Sequence, residues 1–194
     1  IDSMNSVKST IPWRSFVASM TLLDSHDTAR FRHVVGDHFD RHIAGMALQM
    51  TYPGVPSIFH GDEIGLGGTY GEDARRPMPW DRPEIWDHDF FNETRALISI
   101  RKASPAIARG GLRYVAIERD YFAFLREDVK EQVLVVIFRK ACKVSIPLSD
   151  FGMKLTETVY NFGYDLAKQH SGQKIEFETT SAGAGIYKVS EMRR

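Results

Sequence analysis

A His-Asp pair at positions 26 and 27 is the part of this sequence best suited to chemistry. It follows an apolar run, residues 16–23, and belongs to the polar cluster Asp24-Ser25-His26-Asp27. Enzymes built on parallel α/β barrels bind their substrates at the C-terminal ends of the strands, where such a cluster would lie. A carboxylate there can stabilise positive charge in a transition state. The structural alternative is that Asp27 caps a helix that begins just after it.

A second segment, residues 54–63, repeats this pattern thirty residues later. A short apolar strand, residues 55–60, is followed by Asp62-Glu63. Pro56 and Gly61 fix the backbone at the entry and exit of the strand, which is an architectural role. We expect the Glu63 side chain to support the residues of the first segment without contacting a substrate itself.

The elements that position these residues follow from hydrophobic periodicity. Residues 15–23 are predicted as a strand buried on both faces, as a parallel sheet requires. Residues 38–52 are the clearest helix, capped by Asp37 and stopped by Pro53. A long loop rich in glycine, proline and charge, about 61–88, separates this part from a second helix, roughly 89–103. Strand, helix, strand, loop and helix amount to two βα units.

From Ser104-Pro105 onward the sequence changes to short β-rich runs at close spacing. This spacing without helices predicts an antiparallel sandwich, and we place the boundary near 104–110. We expect residues 105–194 to fold independently and residues 1–104 to be unstable alone. The predicted strands are residues 112–117, 121–126, 133–139, 143–147, 155–160, 174–179 and 185–189.

Composition excludes several classes of function. The net charge is zero, so nothing indicates a nucleic acid or an anionic membrane as partner. No run reaches the roughly 18 apolar residues of a membrane span, and we expect no signal peptide. A single cysteine, Cys142, favours a reducing compartment, and we expect a cytoplasmic protein. No cofactor or metal is predicted: His38 and His42 lie four apart but lack a third ligand, and residues 65–71 depart from the dinucleotide fingerprint at Tyr70.

Residues 22–28 and 54–63 together resemble the α-amylase family, glycoside hydrolase family 13. They resemble its seventh strand with the catalytic His-Asp and its eighth strand, G-x-P-x-x-x-x-G-x-E. The resemblance implies an α/β plus all-β fold. Residues 1–104 would be the last two βα units of a (β/α)8 TIM barrel, and residues 105–194 its antiparallel β-sandwich C-terminal domain.

The resemblance also implies roles for three residues. Asp27 would be the third catalytic carboxylate, which favours the distorted, oxocarbenium-like sugar, and His26 would hydrogen-bond that sugar. Ser25 stands where the family usually has Asn. The loop 73–81 resembles that of neopullulanases, cyclomaltodextrinases and α-glucosidases, in which the residue at Arg75 contacts a sugar beyond the cleavage point. The alternative for Arg75 is a salt bridge that anchors the loop, since the family's acidic partner is here Gly71.

The implied reaction is retaining hydrolysis of α-glucosidic bonds in maltooligosaccharides, cyclodextrins or pullulan-like α-glucans. In this family the nucleophile and the general acid come from the fourth and fifth strands, and neither segment is found here. We therefore expect a C-terminal fragment that is inactive alone, and self-association or a homodimer through its exposed barrel edge. Two alternatives stay open: a subunit that pairs with another chain, and a non-catalytic carbohydrate-binding or structural module.

Overall fold

A computed structural model describes residues 2–165 and 173–192. Its N-terminal part is mainly helical, and two short strands within it, β1 and β2, pair in parallel, with Met20 opposite Val55. Helices α3 and α4 form the crossover between these two strands. The elements are α1 (Asp2–Thr10), α2 (Trp13–Ala18), β1 (Met20–Thr21), α3 (Phe31–Val34), α4 (Phe39–Thr51), β2 (Val55–Pro56), α5 (His88–Ala103) and α6 (Pro105–Arg109).

Both helices predicted from periodicity are confirmed, as α4 and α5. Helix α4 ends before Pro53, and the residue that precedes its first turn is His38. Asp37 was the predicted cap, but its backbone is left-handed, with φ of 58°. Helix α5 has a side-chain cap, because Asp87 accepts a hydrogen bond of 3.0 Å from the Phe90 amide.

The two predicted strands are much shorter than expected. Residues 13–18 are helical, so the prediction of a strand over 15–23 is wrong except at Met20–Thr21. The second strand occupies only Val55–Pro56 of the predicted 55–60. The apolar run lacks the alternation that distinguishes a strand from a helix, and Pro12 has a φ suited to a helix start.

The long loop after β2 is confirmed and contains three turns of 3₁₀ helix: Asp62–Ile64, Gly71–Asp73 and Pro83–Ile85. Gly61 opens the first turn with a φ of 94°, and a Cβ atom there would collide with Leu66. Its predicted architectural role therefore has a steric basis.

All strand pairs after residue 110 are antiparallel, as predicted. The strand order is β3-β4-β5-β8-β6, and β7 also pairs with β8. The last two predicted strands are one long strand, β8, whose first half pairs with β6 and whose second half pairs with β5. The bounds are β3 (Gly111–Ile117), β4 (Tyr121–Glu127), β5 (Gln132–Phe138), β6 (Lys143–Pro147), β7 (Met153–Tyr164) and β8 (Lys174–Glu191).

The sheet is buried on both faces. Along β5, Leu134 and Val136 pack with Val144 of β6 in a cluster made by the sheet strands and by Leu148 of the turn after β6. The alternate residues of β5, Val133, Val135 and Ile137, face the other way. They share a second cluster with buried residues of the helices: Ile43, Met46 and Ala47 of α4, Phe90 and Leu97 of α5, and Ile107 of α6.

Two arginines bind the C-terminal end of α4 to the rest of the fold. Arg126 of β4 is fully buried and donates to the carbonyl oxygens of Thr51 at 2.7 Å and Gly110 at 2.8 Å. Burial lowers the pKa of Arg126 to about 10. Arg101 of α5 donates to the Met50 carbonyl at 2.7 Å and also to that of Gly54. The end of one helix thus anchors α5, the sheet and the chain entering β2.

His42 of α4 is buried, so its interpretation as part of a solvated polar face is wrong. Its ring lies 4.1 Å from the Phe90 ring, measured between centroids. Burial lowers the pKa of His42 to about 3, which favours the neutral imidazole. Within residues 2–165 and 173–192, no group of three or more metal-ligating side chains is found, and no helix is long and apolar enough to cross a membrane.

The shared cluster predicts the behaviour of separated halves, and it argues against independent folding of residues 105–194. Expressed alone, residues 105–194 are expected to self-associate, because Phe124, Val135, Ile137 and Ile186 would lose their cover of helices. Light scattering and thermal melts of this piece should be compared with those of the 194-residue chain. A monomeric piece with a cooperative melt would show that the helices are dispensable for the sheet.

Candidate active site

The turn after β1 presents His26 and Asp27 to solvent. The Ser25 amide donates to Thr28 Oγ1 at 3.0 Å, and the Thr28 amide donates to the Ser25 carbonyl at 3.2 Å. The amide at the start of α3, that of Phe31, is bound by the Asp24 carboxylate. Asp27 therefore does not cap this helix, and its carboxylate is left for other interactions.

The three residues singled out in the sequence meet at this turn. His26 Nε2 lies 3.2 Å from Asp27 Oδ2, and Arg75 Nη2 lies 3.8 Å from Asp27 Oδ1. Arg75 Nε also donates to the backbone carbonyl of His26 at 2.8 Å. The side chains of His26, Asp27 and Arg75 are 68%, 70% and 51% exposed. The long loop thus brings Arg75 back to the His-Asp pair across almost fifty residues of chain.

This arrangement can bind a polyhydroxylated molecule. The carboxylate accepts hydrogen bonds, the guanidinium donates them, and the imidazole can do either. A carboxylate held at a fixed position can also stabilise a positive charge that develops nearby. Asp27 carries that capacity, while Arg75 supports the turn through the His26 carbonyl.

A buried guanidinium lies beneath the exposed site. Arg30 is 1% exposed and forms an ion pair of 3.0 Å with the buried Asp62. It donates to the Ala74 carbonyl at 2.8 Å and to the His60 carbonyl at 2.8 Å. The guanidinium carbon also lies 4.0 Å from the centroid of the Phe59 ring. A charge that is removed from water needs such partners to be tolerated.

Two buried carboxyl groups share this environment with Arg30. Burial raises the pKa of Asp62 above its ordinary value, and a hydrogen bond with Asp24 and the charge of Asp24 raise it further, against the opposing effect of Arg30. A hydrogen bond between two carboxyl groups requires one proton. One cation and two carboxyl groups that retain one proton have no net charge, which makes their burial tolerable.

Glu63, which is predicted to support the first segment, acts locally. Glu63 Oε2 accepts a hydrogen bond of 2.7 Å from the Gly61 amide, two residues away, so it closes its own turn. Arg76 forms a 3.4 Å ion pair with Asp73, three residues away. Asp24, Arg30 and Asp62 were not singled out in the sequence. The only signal in the sequence is their position: Asp24 begins the polar cluster, Arg30 follows it, and Asp62 follows the apolar run of the second segment.

Known relatives of this chain were found by sequence. No family model matches it. It is 31% identical over 149 residues to a cyclomaltodextrinase of Geobacillus thermopakistaniensis, a match that covers 76% of this chain and 25% of the relative. It is 35% identical over 129 residues to neopullulanase 2 of Thermoactinomyces vulgaris, covering 66% of this chain and 22% of the relative. The chain thus spans about a quarter of the length of these curated relatives.

Solved structures agree with the sequence matches. The debranching enzyme of Nostoc punctiforme matches 95% of this chain and 38% of its own length, with a TM-score of 0.80 and 25% identity. The resemblance to the α-amylase family is therefore confirmed: the homologues of this chain are enzymes of that family, and it matches a C-terminal part of them.

The pair of buried carboxyl groups predicts a pH dependence of stability. Because the pKa of Asp62 is raised in the folded state, the native protein keeps a proton that the unfolded chain has already released. Stability should then fall as the pH rises above the ordinary range of an aspartate, toward the raised value. Asp62→Asn cannot ionise and should lose this slope.

Urea unfolding between about pH 5 and about pH 9 measures the effect. The control is Asp150→Asn, which changes an exposed aspartate in the turn Leu148–Phe151. Parallel stability curves for wild type and Asp62→Asn would show that Asp62 is ionised in the native protein throughout.

Proposed function

We propose that this chain, a homologue of the C-terminal part of α-amylase-family enzymes, forms part of a retaining glycoside hydrolase that acts on α-glucosidic bonds. The observation that carries the proposal is the meeting of His26, Asp27 and Arg75 on one surface after strand β1. Asp27 is proposed as the catalytic residue of this chain. His26 and Arg75 are proposed to bind the sugar.

The chemistry of the reaction explains why a carboxylate is needed at Asp27. Cleavage of a glycosidic bond passes through an oxocarbenium-like state, in which the sugar ring flattens and gains positive charge. A fixed carboxylate interacts more strongly with that state than with the neutral substrate, so it accelerates the reaction. His26 donates to or accepts from a ring hydroxyl before and during this change.

The remaining machinery is assigned to parts of the protein outside these 194 residues. A retaining mechanism needs a nucleophile and a general acid about 5–5.5 Å apart, which the family places on its fourth and fifth barrel strands. The parallel pair β1 and β2 with its helical crossover supports the last two units of a (β/α)8 barrel. Residues 105–194 then form the C-terminal domain.

Several finer features of the proposal rest on the relatives and on composition. Maltooligosaccharides, cyclodextrins and pullulan-like glucans are proposed as substrates because the relatives are named cyclomaltodextrinase and neopullulanase. Met20, Leu22 and Val55 are exposed beside the short parallel pair. This edge is proposed to contact further barrel strands or a second copy of the chain. The single cysteine favours a cytoplasmic location.

The first prediction from this function concerns the chain alone. The 194-residue protein is expected to show no hydrolysis of a nitrophenyl maltoside. Without a nucleophile and a general acid, the charge of Asp27 alone accelerates the reaction very little. A full-length cyclomaltodextrinase serves as the positive control. Turnover that survives repurification and disappears in Asp27→Asn would place the complete site within this chain. Firm binding of maltooligosaccharides without turnover, combined with full activity of an Asp27→Asn enzyme, would favour the alternative of a carbohydrate-binding module.

The second prediction concerns Asp27 in a full-length enzyme that carries this segment. Asp27→Asn should lower kcat by roughly 10²-fold or more, on the scale of losing one electrostatic stabiliser. KM should change far less, because the asparagine keeps the shape and most of the hydrogen bonds to bound substrate. Steady-state kinetics with a maltooligosaccharide measures both. Asp150→Asn is the control, and a kcat near wild type in Asp27→Asn would remove Asp27 from the catalytic machinery.

A further inference from the structure

The exposed site is made by two loops that are far apart in sequence. The turn of residues 24–28 carries His26 and Asp27, and the loop after β2 carries Arg75. The side chains that meet are about half exposed or more, so their own packing does little to fix them. Their relative position must come from the backbones of the two loops.

Arg30 is the residue that joins these backbones. It lies two residues after Thr28, yet the polar contacts of its side chain and its amide all fall on the second loop. Its amide donates to the Gly68 carbonyl at 3.0 Å, and its Nε donates to the Ala74 carbonyl at 2.8 Å. Its Nη1 donates to the His60 carbonyl at 2.8 Å and to Asp62 Oδ1 at 3.0 Å.

The most telling of these contacts is the one to Ala74. The Ala74 carbonyl belongs to the peptide bond that leads directly into Arg75. We propose that Arg30 is a positioning residue: by fixing this peptide it aims the Arg75 guanidinium at Asp27 and at the His26 carbonyl. The proposal rests on the proposed function for its catalytic meaning, while the geometry that it describes is independent of that function.

The packing around Gly68 supports this position for Arg30. A Cβ atom at Gly68 would lie 2.7 Å from Ala74 Cα and 3.1 Å from Arg30 Cγ. The backbone at Gly68, the backbone at Ala74 and the stem of Arg30 are therefore in close contact, which leaves the loop little freedom to move away from Arg30.

The first loop is fixed from its other end by the same network. Asp24 binds the Phe31 amide, and it also acts on Asp62, the ion-pair partner of Arg30, by raising the pKa of that buried carboxyl group. The residues on both sides of His26 and Asp27 are thus held by one buried cluster, Asp24, Arg30 and Asp62. His26 and Asp27 themselves take no part in it.

A lysine cannot replace Arg30 in this role. The guanidinium has donors in a fixed planar fork, and here they reach two carbonyl groups and a carboxylate in different directions. A lysine keeps the charge and the ion pair with Asp62, but its single ammonium group cannot serve the Ala74 and His60 carbonyls together. Arg30→Lys therefore separates the positioning role from the charge.

The test compares Arg30→Lys with Arg126→Lys in the 194-residue chain. Arg126 is also fully buried and also binds backbone carbonyls, but those of Thr51, Gly110 and Gly111, none of which Arg30 contacts. Both substitutions should lower stability. Only Arg30→Lys is expected to shift or broaden the NMR signal of the Arg75 Nε–H group and to change the imidazole signals of His26.

The outcomes decide the proposal in either direction. Arg75 and His26 signals like those of wild type in a folded Arg30→Lys protein would overturn it, as would equal changes in Arg126→Lys. If Arg30→Lys does not fold, Arg30→Gln provides the comparison, since its shorter side chain cannot reach the Ala74 and His60 carbonyls together. A shift at Arg75 in Arg30→Gln supports the positioning role, and an unchanged signal contradicts it.

A kinetic measurement separates this proposal from the proposed function. In a full-length enzyme that carries the segment, Arg30→Lys should lower kcat on the order of 10- to 100-fold, the effect of misplacing substrate-positioning groups by about an ångström. Arg126→Lys should leave kcat of the folded enzyme near wild type. If Asp27→Asn keeps full activity while the NMR shifts appear in Arg30→Lys, the proposed function fails and the positioning role stands.

Discussion

The enclosed C-terminal end of helix α4 is the constraint on which the rest of this structure depends. The last carbonyl groups of a helix have no partner within it, and here Met50 and Thr51 are buried. Arg101 and Arg126 supply the missing donors, from α5 and from β4. A cation at this end of a helix is also favoured by the helix dipole. Because α4 carries the chain from β1 to β2, the clamp joins the helical part to the sheet and fixes the chain where it enters β2, at the end of that strand opposite the site.

The sequence predicts the parts of this fold whose signal is local and periodic. Helix α4 has its apolar residues on one face, and apolar residues recur seven apart along α5, so both helices are predicted close to their true bounds. The antiparallel strands were found because their apolar runs are separated by turns. The run at 16–23 carries no period, and its first three residues are helical. The sequence also does not predict that α4 covers one face of the sheet. Neighbouring residues such as Val135 and Val136 point to opposite faces and are both apolar, which indicates that both faces are buried but not which elements bury them.

In the site, too, residues with a local sequence signal are predictable, and residues that depend on distant partners are not. His26, Asp27 and Arg75 could be singled out because they stand in motifs whose residue types suggest chemistry, and the structure brings them together. Asp24, Arg30 and Asp62 could not, since buried charges are recognised by their partners, and these partners lie about thirty to forty-four residues away. Asp62 and Glu63 show the limit clearly. Both are acidic and adjacent, yet Asp62 is buried against Arg30, while Glu63 closes a local turn.

The two roles considered for Arg75, loop anchor and sugar contact, are compatible in this geometry. Its Nε donates a hydrogen bond to the His26 carbonyl, which fixes the loop against the turn. Its Nη2 ends 3.8 Å from the Asp27 carboxylate, farther than a hydrogen bond, on a surface open to solvent. A surface ion pair of this kind contributes little to stability, so the pair does not explain why the loop lies there. The buried contacts of Arg30 do explain it, and they leave the outer face of the Arg75 guanidinium and the carboxylate of Asp27 available to a bound molecule.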